Sequence, residues 1–146
     1  MPGGRFMAKV VLDANVMISA AFGGKPLEAV VQALKNHEVY LSVTIERELR
    51  EVIPGLSRKL TKEQIFSIQE NFQQVLSFAK RVSVSTHVVL SRDAKDDHYL
   101  SLCREVRADF LVTGDKDLLS ISQESLKKNK ISCLIVSSQE FLEKMA

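Results

Sequence analysis

Two groups of carboxylates frame one short stretch of this chain, and their spacing is its strongest chemical signal. Residues 92–100 read RDAKDDHYL and residues 108–119 read ADFLVTGDKDLL, so Asp93, Asp96 and Asp97 precede a helical pattern while Asp115 and Asp117 follow an apolar run. In an open α/β sheet the loops after the strands and the first turns of the helices face one crevice, where ligands bind. Both groups are expected to converge there. Near the start, the apolar run from Lys9 ends in Asp13, with Asn15 two residues on. A further acid, Glu48, sits beside Leu49 at the margin of a helical apolar face, from which it can reach a crevice bordered by the sheet.

Carboxylates gathered in one cleft repel one another and raise their own pKa values unless a cation offsets the charge. Hard oxygen ligands without a His or Cys set favour Mg²⁺ or Mn²⁺ over zinc. Such an ion activates a water and holds a phosphate oxygen, and a pair about 3.5 to 4 Å apart stabilises both the attacking and the leaving oxygen of an in-line displacement. The natural product is phosphodiester hydrolysis. Each acid also has a plain structural role: Asp93 and Asp96 as a capping pair, Asp13 and Asn15 as turn residues, 114–117 as a turn, Glu48 as a solvated helix charge. Only the set distinguishes chemistry from capping.

The elements that must position these acids follow from periodicity. Lys9 to Leu12 reads as a strand turning helical at Ala14. Gly23, Gly24 and Pro26 then break the chain before a helix with the stripe Leu27, Val30, Val31 and Leu34, ending near His37, which is placed to complement the helix C-terminus. Val39 to Val43 is the next strand. Thr44 can cap a helix with core face Ile45, Leu49, Val52 and Ile53, which Pro54 and Gly55 end. Thr61 and Gln64 have the form of a capping box opening a long helix with Ile65, Ile68, Phe72, Val75, Leu76 and Ala79 inward. Val82 and Val84, then 87–90, suggest an edge strand or two extended pieces.

Tyr99, Leu102, Cys103 and Val106, with Leu100, mark a helix from Asp96 to about Arg107. Phe110 to Val112 reads as a buried parallel strand. A polar stretch from Ser120 to Lys130 leads to the apolar 131–136, and Ser137 with Glu140 starts a last short helix. The alternation is that of an α/β fold with a mainly parallel sheet, whose strand C-termini share one edge.

A chain of 146 residues suits one domain, here 9–146, behind a flexible leader, 1–8. Its apolar runs are far too short to span a bilayer, and no export signal is evident. Cys103 and Cys133 stand isolated in apolar patterns, without metal spacing, as reduced core residues of a cytoplasmic protein. The net charge of +2 does not by itself argue for nucleic acid. Arg47, Arg50, Arg58, Lys59 and Lys62, grouped between two helices, could hold RNA phosphates near Glu48 or form a solvated face.

Residues 10–20 (VVLDANVMISA), 46–52 (ERELREV), 92–100 and 108–118, in that order, resemble the PIN domain, and within it the prokaryotic toxins of toxin-antitoxin systems similar to the VapC ribonucleases. The resemblance implies a three-layer α/β/α sandwich and a Mg²⁺- or Mn²⁺-dependent endoribonuclease. By motif position Asp13, Glu48, Asp97 and Asp115 match the family's four acids. Asn15 and Thr113 match supporting positions, with Asp96 and Asp117 as auxiliary ligands. Ala14 stands where the family often has Thr or Ser, which loses a hydroxyl but no ligand. The helical hairpin over 44–79 offers apolar surface to a homodimer mate or an antitoxin. Three alternatives remain: a haloacid-dehalogenase-type phosphatase, which usually needs a second Asp where this chain has Asn15, a non-catalytic RNA-binding module, and a DNA-directed nuclease.

Overall fold

The structure, a computed structural model, describes residues 7–90 and 93–146. Five parallel strands form the sheet: β1 (Lys9–Leu12), β2 (Glu38–Ser42), β3 (Lys80–Val82), β4 (Phe110–Val112) and β5 (Leu134–Val136), in the order β3-β2-β1-β4-β5. The chain therefore builds outward from β1 on one side through β2 and β3, then crosses back to place β4 and β5 on the other. That reversal makes the β1–β4 seam the switch point, where the C-terminal edge of such a sheet opens into a crevice. Val10 pairs with Phe110, Val11 with Leu111 and Leu12 with Val112, so Asp13 and Thr113 leave the sheet side by side.

Helices cover both faces. They are α1 (Ala14–Ala20), α2 (Gly24–Asn36), α3 (Val43–Leu56), α4 (Lys62–Phe78), α5 (Asp97–Val106), α6 (Lys116–Leu119), α7 (Gln123–Lys128) and α8 (Ser138–Met145), with a 3-10 turn at Ala94–Asp96 before α5. α1 packs on α2, α3 and α4, and α2 on α8, while α5 lies against β1, β2 and β4. The central strands are apolar on both sides, as burial under two helical layers requires: Val10, Val11, Leu12, Leu111 and Val112 are all fully buried. This is the α/β/α sandwich expected from the resemblance, with its sheet wholly parallel among the described residues.

Several local expectations are corrected. Ser42, not Thr44, caps α3, its Oγ accepting from the Ile45 amide at 3.2 Å, because β2 runs straight into the helix with no loop to hold a later cap. Pro54 does not end α3, which continues to Leu56. A proline frees the carbonyl four residues earlier, here that of the exposed Arg50, where water can serve it. Val31 and Val52 lie outward, and the buried side of α2 is made by Ala29, Val30 and Ala33, whose small side chains permit close packing. The polar stretch after Leu119 contains α7, capped by Ser122, with Leu126 as its buried anchor.

His37 is not a cation at a helix end. Its Nδ1 accepts from the Ala8 amide at 2.9 Å, and burial, partly offset by Asp109, lowers its pKa, as suits a neutral acceptor. Ala8 is itself fully buried and its carbonyl accepts from the Glu38 amide at 2.9 Å, so the domain body includes a residue assigned to the leader. Residues 1–6 of that leader lie outside the described residues. Cys103 and Cys133 are both free and buried, and they are neighbours in the fold: burial, and after it the Cys133 thiol, push the Cys103 thiol up.

Candidate active site at the sheet switch point

Asp13 is the anchor. It leaves β1 at the switch point, is only 3% exposed, and has both oxygens engaged. Oδ1 accepts from the Asn15 amide at 2.9 Å, capping α1, while Oδ2 accepts from the Thr113 hydroxyl at 2.7 Å. Thr113, fully buried at the end of β4, accepts in turn from the Asp115 amide at 3.0 Å. Asp115 Oδ1 accepts from the Asp117 amide at 2.8 Å and caps α6. Capping and convergence are thus one geometry: the hydrogen bonds that start each helix aim its first carboxylate at the seam.

The third acidic motif divides. Asp93 caps the 3-10 turn through the Lys95 amide at 3.0 Å. Asp96, the last residue of that turn, comes within hydrogen-bonding reach of the Asp115 carboxyl, and its Oδ2 is buried without a hydrogen-bond partner. Burial, then the neighbouring Asp115, then the charges of Asp93 and Asp13 push its pKa up to about 7. Asp97 is buried at 7% exposure, and its Oδ1 accepts from the Leu90 amide at 3.1 Å, tying α5 to the segment before it, where the strand expected over 87–90 does not form. Successive helical residues project in different directions, and here the two carboxylates have different neighbours. Asp96 is the acid that feels both Asp115 and Asp13.

Glu48 approaches from α3. Its Oε1 accepts from the Tyr99 hydroxyl at 2.9 Å and lies 2.8 Å from His98 Nε2. Burial opposes its ionisation, but His98 and Tyr99 outweigh it and its pKa is lowered. The Tyr99 hydroxyl also accepts from the Ala14 amide at 3.0 Å, so one buried ring spans the start of α1 and the acid on α3. Burial, and after it the charge of Asp13, raise the phenol pKa. Sequence periodicity counts Tyr99 only as a core residue. The missed signal is its hydroxyl, because a buried tyrosine O–H finds a partner.

Among the described residues no three His, Cys, Asp or Glu side chains form a ready-made metal cluster. The donor chemistry nonetheless fits a hard divalent ion: an unpartnered Asp96 oxygen beside Asp115, in the field of Asp13, with no His or Cys in the set. A cation there relieves the repulsion that raises the Asp96 pKa.

The expected basic group is spread over α3, the turn after it and the start of α4. Arg50 pairs with Glu46 at 3.5 Å and stacks over Phe72, 5.2 Å from the ring centre. Arg58 and Lys59 are exposed in the turn after α3, and Lys62 is exposed at the start of α4. Arg47 is exposed on α3 next to Glu48, and Lys95 and Lys116 are exposed within the acidic motifs themselves.

The sequence profile of the PIN domain matches residues 9–117. The chain belongs to the PIN-domain family. The span covers Asp13, Glu48, Asp96, Asp97, Asp115 and Asp117, and leaves α7, β5 and α8 outside. An uncharacterized protein of Methanocaldococcus jannaschii is 31% identical over 142 residues, covering 92% of this PIN protein and 90% of that one. Two solved structures share the fold. VapBC2 from Rickettsia felis, in a crystal structure bound to a DNA fragment from their promoter, has a TM-score of 0.54 at 16% identity, over 88% of this chain and 98% of that one. A domain of a functionally unknown protein from Methanocaldococcus jannaschii has a TM-score of 0.54 at 14% identity, over 88% and 90%. PIN domains are in general nucleases that use divalent ions. Among the described residues of this one, no helix is long and apolar enough to cross a membrane.

Proposed function

We propose that this PIN domain is a Mg²⁺- or Mn²⁺-dependent endoribonuclease whose ion is held by Asp13, Asp96 and Asp115, with Glu48 and Asp117 completing the acidic ring. The observation that carries the reading is the buried, unpartnered Asp96 oxygen set against Asp115 at the switch point. A bound ion supplies a water of lowered pKa and offsets charge on the phosphodiester. The protein's own part is positioning. Thr113 and the Asn15 amide fix the Asp13 oxygens, Thr113 fixes the backbone before Asp115, and Tyr99 holds Glu48 toward the same edge. Glu48, kept ionised by His98 and Tyr99, supplies a fixed negative charge at the margin of the acidic ring. Asp97 is a structural acid that braces α5. Arg47, Lys95 and Lys116 are the exposed cations suited to phosphates of the strand.

The test is cleavage of single-stranded RNA and single-stranded DNA side by side, with Mn²⁺, with Mg²⁺ and with EDTA. Metal-dependent cutting of RNA, lost in Asp13→Asn, supports the reading. Cutting that persists in EDTA removes the metal role, and preferential cutting of DNA makes the chain a DNA-directed nuclease. Release of phosphate from small phosphoesters without cutting marks a phosphatase, and RNA binding without metal-dependent turnover marks a binding module.

The toxin role rests on the resemblance and on the shared fold with VapBC2. Phe66 and Phe78 of α4, both more than half exposed, are the aromatic surface suited to an antitoxin or a second copy. Growth arrest on expression, relieved by Asp13→Asn, is its test.

A further inference from the structure

Beside the acids lies a site of opposite chemistry. A cavity of about 340 Å³ is walled by Asn15, Ser19, Lys25, Ser138 and Gln139. None of the described residues lining it is acidic. It shares two residues with the acid crevice: Thr113, whose hydroxyl donates to Asp13 Oδ2, and Asn15, whose amide donates to Oδ1. A group seated here is therefore one side chain away from Asp13. Gly114, between Thr113 and Asp115 in the chain, also lines the cavity, and the space beside its Cα is open.

The chain makes a particular effort to bring Lys25 to this cavity. Gly23 and Gly24 both take left-handed backbone, with φ of 86° and 72°, which lets the chain reverse after α1 and start α2 at the cavity rim. Lys25 pairs with Glu28 at 3.4 Å, but both side chains are largely exposed, so the pair exchanges readily for a stronger anion. Val16 and Pro26 supply apolar wall, against which a flat ring can lie.

The geometry points to this cavity as a subsite for one nucleotide of the RNA adjoining the scissile phosphate, its base read by Asn15 and Gln139 and its phosphate met by Lys25. An RNA strand repelled by the acid cluster leaves it most readily along a wall without carboxylates, and this cavity, with Lys25 at its rim, provides one. Side-chain carboxamides present a donor and an acceptor to a base edge, the pairing by which unstacked RNA bases are recognised, and the exposed contact that Gln139 Nε2 donates to Glu143 at 3.2 Å is one a base can displace. Ligand pockets begin at about 300 Å³, so the space suits one nucleoside and not two. The inference rests on the ribonuclease reading, and it adds a specificity that the acids cannot supply.

The test uses the full chain with Mn²⁺ on random-sequence single-stranded RNA, sequencing the ends. The wild type is expected to show a base preference at one position beside the cut, and Gln139→Ala to flatten it. Lys25→Gln is expected to raise KM about tenfold, the scale of one lost charge-assisted contact, with kcat retained. Wild-type end distributions and KM in both variants overturn the subsite while leaving the nuclease intact. A second arm is independent of turnover: 5′-mononucleotides titrated into metal-free protein, followed by NMR, should give saturable shifts at Ser19, Ser138 and Gln139. Such shifts in a chain that cuts no RNA keep the cavity and remove the nuclease. Their absence in a chain that cuts RNA removes the cavity alone.

Discussion

The Tyr99 hydroxyl donates to Glu48 at 2.9 Å while accepting from the Ala14 amide at 3.0 Å, joining α5, α3 and the residue after Asp13 through one buried oxygen. Tyr99→Phe keeps the ring and removes that junction. The Ala14 amide loses its acceptor and Glu48 loses a donor, at a cost of about 1 to 3 kcal/mol. Urea denaturation measures the cost. Half-saturation by Mn²⁺ should rise by about 10- to 100-fold, as when a group orienting a metal ligand is lost. Unchanged metal affinity in a folded Tyr99→Phe protein would mean that Glu48 needs no orienting.

Asp96 gives a pH dependence whose sign is opposite to that of a salt-bridged carboxylate. Its pKa rises to about 7 in the fold, so from about pH 4 to 7 the folded chain holds a proton that the unfolded chain has released. Stability of the metal-free protein then falls as pH rises through that window and levels off above it. Asp96→Asn removes this slope. Mn²⁺, which binds the ionised form, should raise Tm more at pH 8 than at pH 5 in the wild type and little in Asp96→Asn. Thermal melts at the two pH values, with and without Mn²⁺, check all of this, and equal slopes for wild type and variant would refute it.

Neighbouring aspartates make a direct comparison. Asp97→Asn can still accept the Leu90 amide through its carboxamide oxygen, so turnover should fall by about tenfold at most, as for a supporting residue. Asp96→Asn removes the unpartnered carboxylate and should abolish cleavage with the fold retained. Circular dichroism confirms folding, and single-turnover RNA cleavage ranks the two. The reverse ranking would restore Asp97 as the metal ligand.

What the sequence reveals and conceals follows from the reach of each signal. β1 and β4 are legible because a strand buried on both faces must be apolar throughout, and their acids are legible because they terminate those strands. The capping boxes at Thr61–Gln64 and Ser137–Glu140 were readable for the same local reason, and both form. The different surroundings of Asp96 and Asp97 are not legible, since they depend on the 3-10 turn that precedes α5 and on an amide from residue 90. Tyr99 and the Cys103–Cys133 contact are hidden because they join segments distant in the chain, where periodicity carries no information. The cavity at Lys25 needs α1, α2 and α8 together, and no single stretch announces it.

Thr113 tests whether the seam is organised by one hydroxyl. It is fully buried, donates to Asp13 Oδ2 at 2.7 Å and accepts from the Asp115 amide at 3.0 Å, so both of its roles fall inside the β1–β4 junction. Thr113→Val preserves shape and strand propensity but leaves a buried carboxylate oxygen and an amide without this partner, a loss of about 1 to 3 kcal/mol. Thr113→Ser keeps the hydroxyl and should recover most of the activity despite the methyl-sized space it leaves. Cleavage reduced about 10- to 100-fold in the valine variant and restored in the serine variant is the pattern of a positioning residue. Wild-type activity in the valine variant would assign Thr113 to packing alone, because the hydroxyl is what separates valine from threonine.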